Sequence, residues 1–220
     1  MLGKTLLFLL CLIVLPQLSA LGQDPGKAPV AEPKKTVTPA PKEPSPQAEP
    51  FDGASVQKMA AQCVTLETEP GSIVIQMLPH AAPEAVRNFL NLAVTGALDT
   101  TTFSRTVKDF VVQGGNLSTS EKWGVELSKR ASRTLPDEPS DLKHVRGMVS
   151  MARGDEANSA TTHFFILVGD GPHLDGRFAA FGRVTKGIEV ADAINHAPVE
   201  GDKPVNPVRI KRVIVASCQE

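Results

Sequence analysis

Several side chains in this chain could bind a metal or act as nucleophiles. The histidines include His163 and His173, but no two histidines have the i, i+4 spacing of a helical metal site and no Cys-x-x-Cys pair supports them. Ser104 and Ser150 lack the Gly-x-Ser-x-Gly turn of a hydrolase nucleophile. Gly169-Asp170-Gly171 lacks the third glycine and the following helix of a phosphate-binding loop. We therefore predict no metal and no cofactor, and a hydrolase is only a distant alternative.

The elements that must position any functional side chain are mostly short strands. Two alternating segments flank Glu69-Pro70-Gly71, a sequence typical of a turn, so a hairpin opens the domain. Pro83 begins a helical apolar pattern that Gly96 ends, and a second helix is predicted at residues 187–195. Strands are predicted at residues 64–68, 72–78, 102–106, 110–113, 147–152, 163–168, 178–184 and 208–217. This pattern predicts a mainly β fold whose sheet closes into a barrel, since closure removes exposed strand edges.

Residues 1–22 have the pattern of a secretory signal peptide. Lys4 precedes an apolar run at residues 6–15, and small residues including Ala20 and Gly22 follow the run. The run is shorter than the roughly 20 residues that span a bilayer. We expect cleavage after Gly22, with cleavage after Ala20 as the alternative. The pattern predicts an exported protein, periplasmic or secreted, with no stable membrane span once the signal is removed.

Residues 23–55 are predicted to form a proline-rich disordered tether ahead of one domain at residues 56–220. Eight prolines lie between residues 23 and 50, with no apolar periodicity. Such a composition favours extended, polyproline-like conformations and cannot bury enough apolar surface to fold. Docking on a partner or on cell-wall material is the alternative role for this segment.

Charge argues against a nucleic-acid partner. The formal net charge is -1 at pH 7, which gives no global attraction for a phosphate backbone. The basic cluster of Lys129, Arg130 and Arg133 is offset by Glu121 and Glu126, as expected of a solvated loop.

Four sequence blocks resemble the cyclophilin family of peptidyl-prolyl cis-trans isomerases. Residues 103–116 are similar to the family pattern Phe-His-Arg-x-x-x-x-Phe-x-x-Gln-Gly-Gly-Asp. Residues 146–153 resemble its Gly-x-x-Ser-Met-Ala strand, and residues 158–166 resemble its Asn-Ser-x-x-Ser-Gln-Phe-Phe-Ile strand. Residues 174–177 and 181–184 resemble the Leu-Asp-Gly and Phe-Gly-x-Val that follow. The resemblance implies a closed eight-stranded antiparallel barrel capped by two α-helices and a cofactor-free prolyl isomerase.

The resemblance also implies roles for individual residues. Arg105 matches the catalytic arginine, and Gln113 is expected to hold it or to contact a substrate carbonyl. Ala152 and Arg153 match the strand whose backbone pairs with the substrate. The residues that match the lining of the proline pocket are Phe110, Val111, Gln113, Phe165 and Leu174.

Four positions of the expected groove depart from the family pattern. Ser104 replaces a histidine, and His163 stands where the family usually has glutamine. His173 stands where many members have an aromatic residue, and Phe178 stands where histidine is frequent. We expect isomerisation to survive, because Arg105 and the surrounding frame remain. Tight binding of cyclosporin is not expected without the aromatic residue.

The implied reaction breaks no covalent bond. Rotation about a peptide bond is slowed by partial double-bond character, with a barrier of roughly 18–20 kcal/mol. A cationic donor beside an apolar proline pocket would stabilise the twisted bond. The predicted partners are proline-containing unfolded or folding polypeptides, acted on by a monomer. The alternative is a binding module that holds a proline-containing partner without turnover.

Two cysteines remain after removal of the signal peptide, and the resemblance suggests that they pair. Cys63 immediately precedes the first predicted strand and Cys218 follows the last. These strands are antiparallel neighbours in the family barrel, so we predict a disulfide across the terminal seam, as exported proteins permit.

Overall fold

The computed structural model describes residues 48–218, so the predicted signal peptide and most of the predicted tether lie outside the described residues. The α-helices are α1 (Val56–Ala60), α2 (Pro83–Val94), α3 (Val125–Ala131) and α4 (Ile188–Asn195). The strands are β1 (Gln62–Thr68), β2 (Ser72–Met77), β3 (Arg105–Val107), β4 (Val111–Gly114), β5 (Met148–Met151), β6 (Phe164–Leu167), β7 (Ala180–Lys186), β8 (Val199–Glu200), β9 (Lys203–Pro204) and β10 (Ile210–Ser217). Single turns of 3-10 helix lie at Leu117–Thr119 and Pro172–Leu174. Within this part of the chain, no helix is long and apolar enough to cross a membrane.

Eight strands form one curled antiparallel sheet in the order β10-β1-β2-β7-β5-β6-β4-β3. The mainly β fold is therefore confirmed, and so is the opening hairpin, because β1 pairs with β2 around the predicted turn. Strands β8 and β9 form a separate two-stranded hairpin. The sheet curls into a half-barrel around its apolar face.

The predicted closure of the barrel is not confirmed. β3 and β10 are the two ends of the strand order and do not pair with each other as strands. The segment just before β3 instead approaches β10 through one isolated bridge, Thr102 to Arg209. Next to it, the Phe103 N–H donates to the Val208 carbonyl at 2.9 Å. Contact at this seam is local, and β3 has no strand of the main sheet along this edge.

The two predicted helices, α2 and α4, cover the sheet, and α2 carries the larger apolar face. Phe89 of α2 lies 4.9 Å ring to ring from Phe181 of β7 and 5.1 Å from Phe164 of β6. Burial of each such side chain stabilises the fold by roughly 1.5–3 kcal/mol. The Glu138 carboxylate accepts hydrogen bonds from the first backbone N–H groups of α2, which would otherwise lack partners. α2 is thereby fixed against β6 and β7.

The packed structure begins before residue 56, where the sequence pattern placed the start of the domain. Phe51 is only 7% exposed, and its N–H donates to the Asn91 side chain of α2 at 2.7 Å. Glu49 forms a 2.8 Å ion pair with Arg130 of α3, whose guanidinium is almost fully buried. The helices α1 and α3 were not predicted. Arg130 belongs to the basic cluster that the charge pattern assigned to a solvated loop, and that assignment was wrong for this residue.

Cys63 and Cys218 form a disulfide, as predicted. Cys63 lies in β1, opposite Ala216 of β10, and the two bonded residues have Cα atoms 4.9 Å apart. The Cys218 N–H also donates to the Ala61 carbonyl at 3.0 Å. The bond therefore joins two strands that are already paired.

Candidate functional site

The candidate site is built on a row of cross-strand neighbours. Arg105 of β3 lies opposite Gln113 of β4, and Gln113 lies opposite Phe165 of β6. Phe165 in turn lies opposite Ser150 of β5. Directly opposed residues have Cβ atoms about 4.5–5.5 Å apart on one face of a sheet. Strand register thus brings a cation, an amide and an aromatic ring together from three strands.

A surface cavity with an empty volume of about 500 Å³ opens beside this row. It is lined by Arg105, Phe110, Val111, Gln113, Ala152, Arg153, Phe165, Leu174 and Phe178. Nine of the eleven residues that the sequence assigned to the site therefore lie around one opening. The other two lie beside it: His163 lines a neighbouring cavity, and His173 stacks on Phe110 with ring centroids 5.3 Å apart.

The walls of the cavity are apolar and fixed from below. Phe165 and Phe178 meet edge to face with ring centroids 6.0 Å apart. Phe165, Val111 and Leu174 are all buried, and they pack with Met148, Leu167 and Ala180 in a small apolar group of the core. Apolar walls lower the local dielectric constant, and this strengthens an electrostatic interaction at the rim.

Arg105 supplies a cation at the rim of the cavity. Its side chain is 45% exposed. Its Nη2 donates a hydrogen bond to Asp202 Oδ2, with the two atoms 2.8 Å apart. Within residues 48–218, no side-chain hydrogen bond joins Arg105 to Gln113, for which the resemblance implied either holding the arginine or contacting a substrate carbonyl. A guanidinium has five N–H donors and stays charged at any working pH. Four of these donors have no partner among residues 48–218 and are available to a ligand.

Asp202 is the member of the site that the sequence did not reveal. It lies 97 positions after Arg105, on the hairpin of β8 and β9. The only local clue is Gly201, which indicates a turn but does not indicate where that turn docks.

Arg153 separates the cavity from a second one. Its guanidinium lies 5.1 Å from the centre of the Phe178 ring and 3.8 Å from Asp137. The second cavity, with an empty volume of about 460 Å³, is lined by Gln113, Ala152, Arg153, Gly154, Ser159, Thr161 and His163. Burial lowers the pKa of the His163 imidazole below its ordinary value, which favours its uncharged form.

The chain between the two cavities has backbone groups that can pair with an extended ligand. β5 ends at Met151, and the Ala152 N–H donates to the His163 carbonyl at 2.9 Å. Among the hydrogen bonds of residues 48–218, none uses the Arg153 N–H or the Ala152 carbonyl. An extended peptide lying along this edge has a donor and an acceptor available to it.

Known proteins match the same part of the chain that forms the fold and the cavity. The family model for the cyclophilin type peptidyl-prolyl cis-trans isomerase/CLD matches residues 63–215. The chain is 37% identical over 154 residues to the peptidyl-prolyl cis-trans isomerase cypE of Dictyostelium discoideum, covering 69% of this chain and 96% of that protein. It is 36% identical over 162 residues to the peptidyl-prolyl cis-trans isomerase A of Dickeya dadantii, covering 71% and 83%.

The fold is also similar to that of a solved structure. A cyclophilin type peptidyl-prolyl cis-trans isomerase from Cryptosporidium parvum, crystallised in the presence of the dipeptide Ala-Pro, matches with a TM-score of 0.62 and 29% identity. The match covers 71% of this chain and 99% of that structure.

Proposed function

Because the chain belongs to the cyclophilin-type peptidyl-prolyl cis-trans isomerases and is an enzyme of that type, we propose that it accelerates the folding of exported proteins, acting as a monomer. In this proposal, Arg105 stabilises the twisted X-Pro bond while the apolar cavity holds the proline ring. The observation that carries the proposal is the position of a permanent cation at the rim of a cavity with aromatic and branched apolar walls.

The chemistry explains why one cation and one cavity are enough. Rotation about the X-Pro bond removes amide resonance, so the nitrogen becomes pyramidal and gains a lone pair that can accept a hydrogen bond. An interaction that is stronger with the twisted form than with either planar form lowers the barrier. Arg105 can donate to that nitrogen with an N–H that Asp202 does not use. No nucleophile, metal or titrating base is required.

The cavity supports a proline-containing substrate. Its aromatic and branched walls can grip a ring that has no N–H donor of its own, and the Arg153 N–H and Ala152 carbonyl can pair with the adjoining backbone. The relative from Cryptosporidium parvum was crystallised with an Ala-Pro dipeptide, which is the kind of ligand that this cavity would take. We assign to Gln113 a contact with a substrate carbonyl, since its side chain lines both cavities.

Export is supported by two features of the chain. Residues 1–22 have the pattern of a secretory signal peptide. The disulfide between Cys63 and Cys218 is of a kind that persists in oxidising compartments and is rare in reducing ones. The clients would then be proline-containing polypeptides that fold after leaving the cytosol.

Replacement of Arg105 tests the catalytic role. We expect Arg105→Ala to lower kcat/KM on a short Ala-Pro peptide by on the order of 100- to 1,000-fold, the usual cost of removing one preorganised donor. Arg105→Lys should also be poor, because an ammonium lacks the planar fork. Activity is measured by NMR exchange spectroscopy or by a protease-coupled assay.

Arg183→Ala is the matched control, since Arg183 is an exposed arginine of β7 outside the cavity lining. It should keep full activity. Equal activity of Arg105→Ala and Arg183→Ala would contradict the proposed mechanism. Binding of the peptide without arginine-dependent acceleration would favour the binding module instead.

A further inference from the structure

The hairpin of β8 and β9 presents one carboxylate to the site. Glu200 pairs with Lys203, so Gly201 and Asp202 form a two-residue loop between the strands. Gly201 has φ +61°, which is the left-handed conformation that glycine supplies at the first central position of such a loop. The turn therefore fixes Asp202 as its second central residue.

Asp202 holds β3 at two points. Its carbonyl accepts a hydrogen bond from the Thr106 N–H at 2.8 Å, on the edge of β3 that does not face β4. Its side-chain Oδ2 accepts from Arg105 Nη2, also at 2.8 Å. One residue thus fixes both the backbone of β3 and the guanidinium that β3 carries.

We propose that Asp202 is a positioning residue for Arg105. This inference rests on the proposed function, because it acts only through the arginine. A long side chain on a three-residue edge strand would otherwise spend much of its time in rotamers that point into solvent. The carboxylate binds one arm of the guanidinium and leaves the other donors facing the cavity.

A carboxylate so close to Arg105 also weakens the positive field at the cavity, which opposes this benefit. The side chains of Arg105 and Asp202 are 45% and 53% exposed. Solvent screens charges at such sites, so the loss of field is small. The restraint on the guanidinium is the larger effect, and removal of Asp202 should lower activity rather than raise it.

Asp202→Ala should lower kcat/KM on the Ala-Pro peptide by about 3- to 5-fold, the size expected of an exposed ion pair. Asp202→Asn, which keeps an acceptor oxygen, should fall between Asp202→Ala and the unmodified protein. Glu200→Ala is the matched control, because it removes the same charge from the same hairpin and Glu200 makes no ion pair among residues 48–218. It should keep full activity.

Two readouts separate positioning from a merely structural role. In an Arg105→Ala background, Asp202→Ala should cause no further loss, whereas a structural role would lower the residual activity again. Added NaCl should lower the activity of the unmodified protein towards that of Asp202→Ala and leave the variant almost unchanged. Thermal unfolding checks that each variant is folded.

Activity of Asp202→Ala equal to or above that of Glu200→Ala would overturn the inference. The inference would also be overturned if Asp202→Ala lowered activity by the same factor in the unmodified protein and in the Arg105→Ala background. If Arg105→Ala is severely impaired while Asp202→Ala is not, only this inference fails. If Arg105→Ala keeps full activity, the proposed mechanism fails and the role of Asp202 fails with it.

Discussion

The disulfide between Cys63 and Cys218 should contribute a large part of the stability of the domain. The two cysteines are 155 positions apart, so the bond closes nearly the whole domain into one loop. The loop-closure relation gives about 5 kcal/mol at 25 °C for a loop of this length. This value is an upper bound, because real unfolded chains are more compact than the relation assumes. For a domain of this size, about 5 kcal/mol corresponds to roughly 10–20 °C in Tm.

Urea unfolding of the oxidised protein and of the double variant Cys63→Ser/Cys218→Ser measures this contribution. The double variant should unfold at a lower urea concentration, and reductant should lower the midpoint of the unmodified protein but not that of the variant. Activity of the folded variant should be unchanged, because the bond joins β1 and β10 and the cavity is lined from β3 to β6 and the loops beside them.

Two results would refute this reasoning. Two free thiols in the titration of the oxidised, unfolded protein would mean that the bond does not form. Equal midpoints with and without reductant would mean that the bond forms but that the constraint on the unfolded chain has no effect on stability.

The remaining predictions concern His163 and the N-terminus. Burial lowers the pKa of His163 in the folded state, so the unfolded state binds more protons and the free energy of unfolding should fall as pH falls below about 6.5. His163→Gln should show a smaller fall between pH 7.5 and pH 5.5 in urea unfolding, and an unchanged fall would contradict this. The mature protein, isolated from the periplasmic or extracellular fraction, should begin at Gln23 by N-terminal sequencing, whereas a chain that keeps Met1 in the cytosolic fraction would contradict export.

The sequence predicted the elements whose pattern is local. The helices α2 and α4 begin and end within two residues of their predicted limits, because proline and glycine mark their ends and an apolar face marks their interiors. The helix α3 has only a short apolar face: Leu127 and Ala131 pack against the core, but Val125 is exposed. The ion pair of Arg130 with Glu49 also holds the helix. A contact between residues 81 positions apart leaves no periodic pattern to read.

In the site too, local motifs were predicted from the sequence and contacts between distant residues were not. The motifs correctly predicted nine residues that line one cavity. They could do so because the family pattern implies which strands carry these residues and how the strands pair. They did not show that Arg105 binds Asp202 or that His173 stacks on Phe110. These contacts depend on how a hairpin and a turn dock on the sheet, which residue spacing does not encode.

The open seam and the unpredicted carboxylate have one structural origin. In a fully closed barrel, β3 would pair along its length with β10, and the Thr106 N–H would be bound in that ladder. Here the pairing stops at the bridge between Thr102 and Arg209, and the Thr106 N–H binds the Asp202 carbonyl instead. The free edge of β3 is therefore what admits the hairpin to the side of Arg105. Had the predicted closure been complete, the hairpin could not make this contact, and the guanidinium would lack the partner that it has.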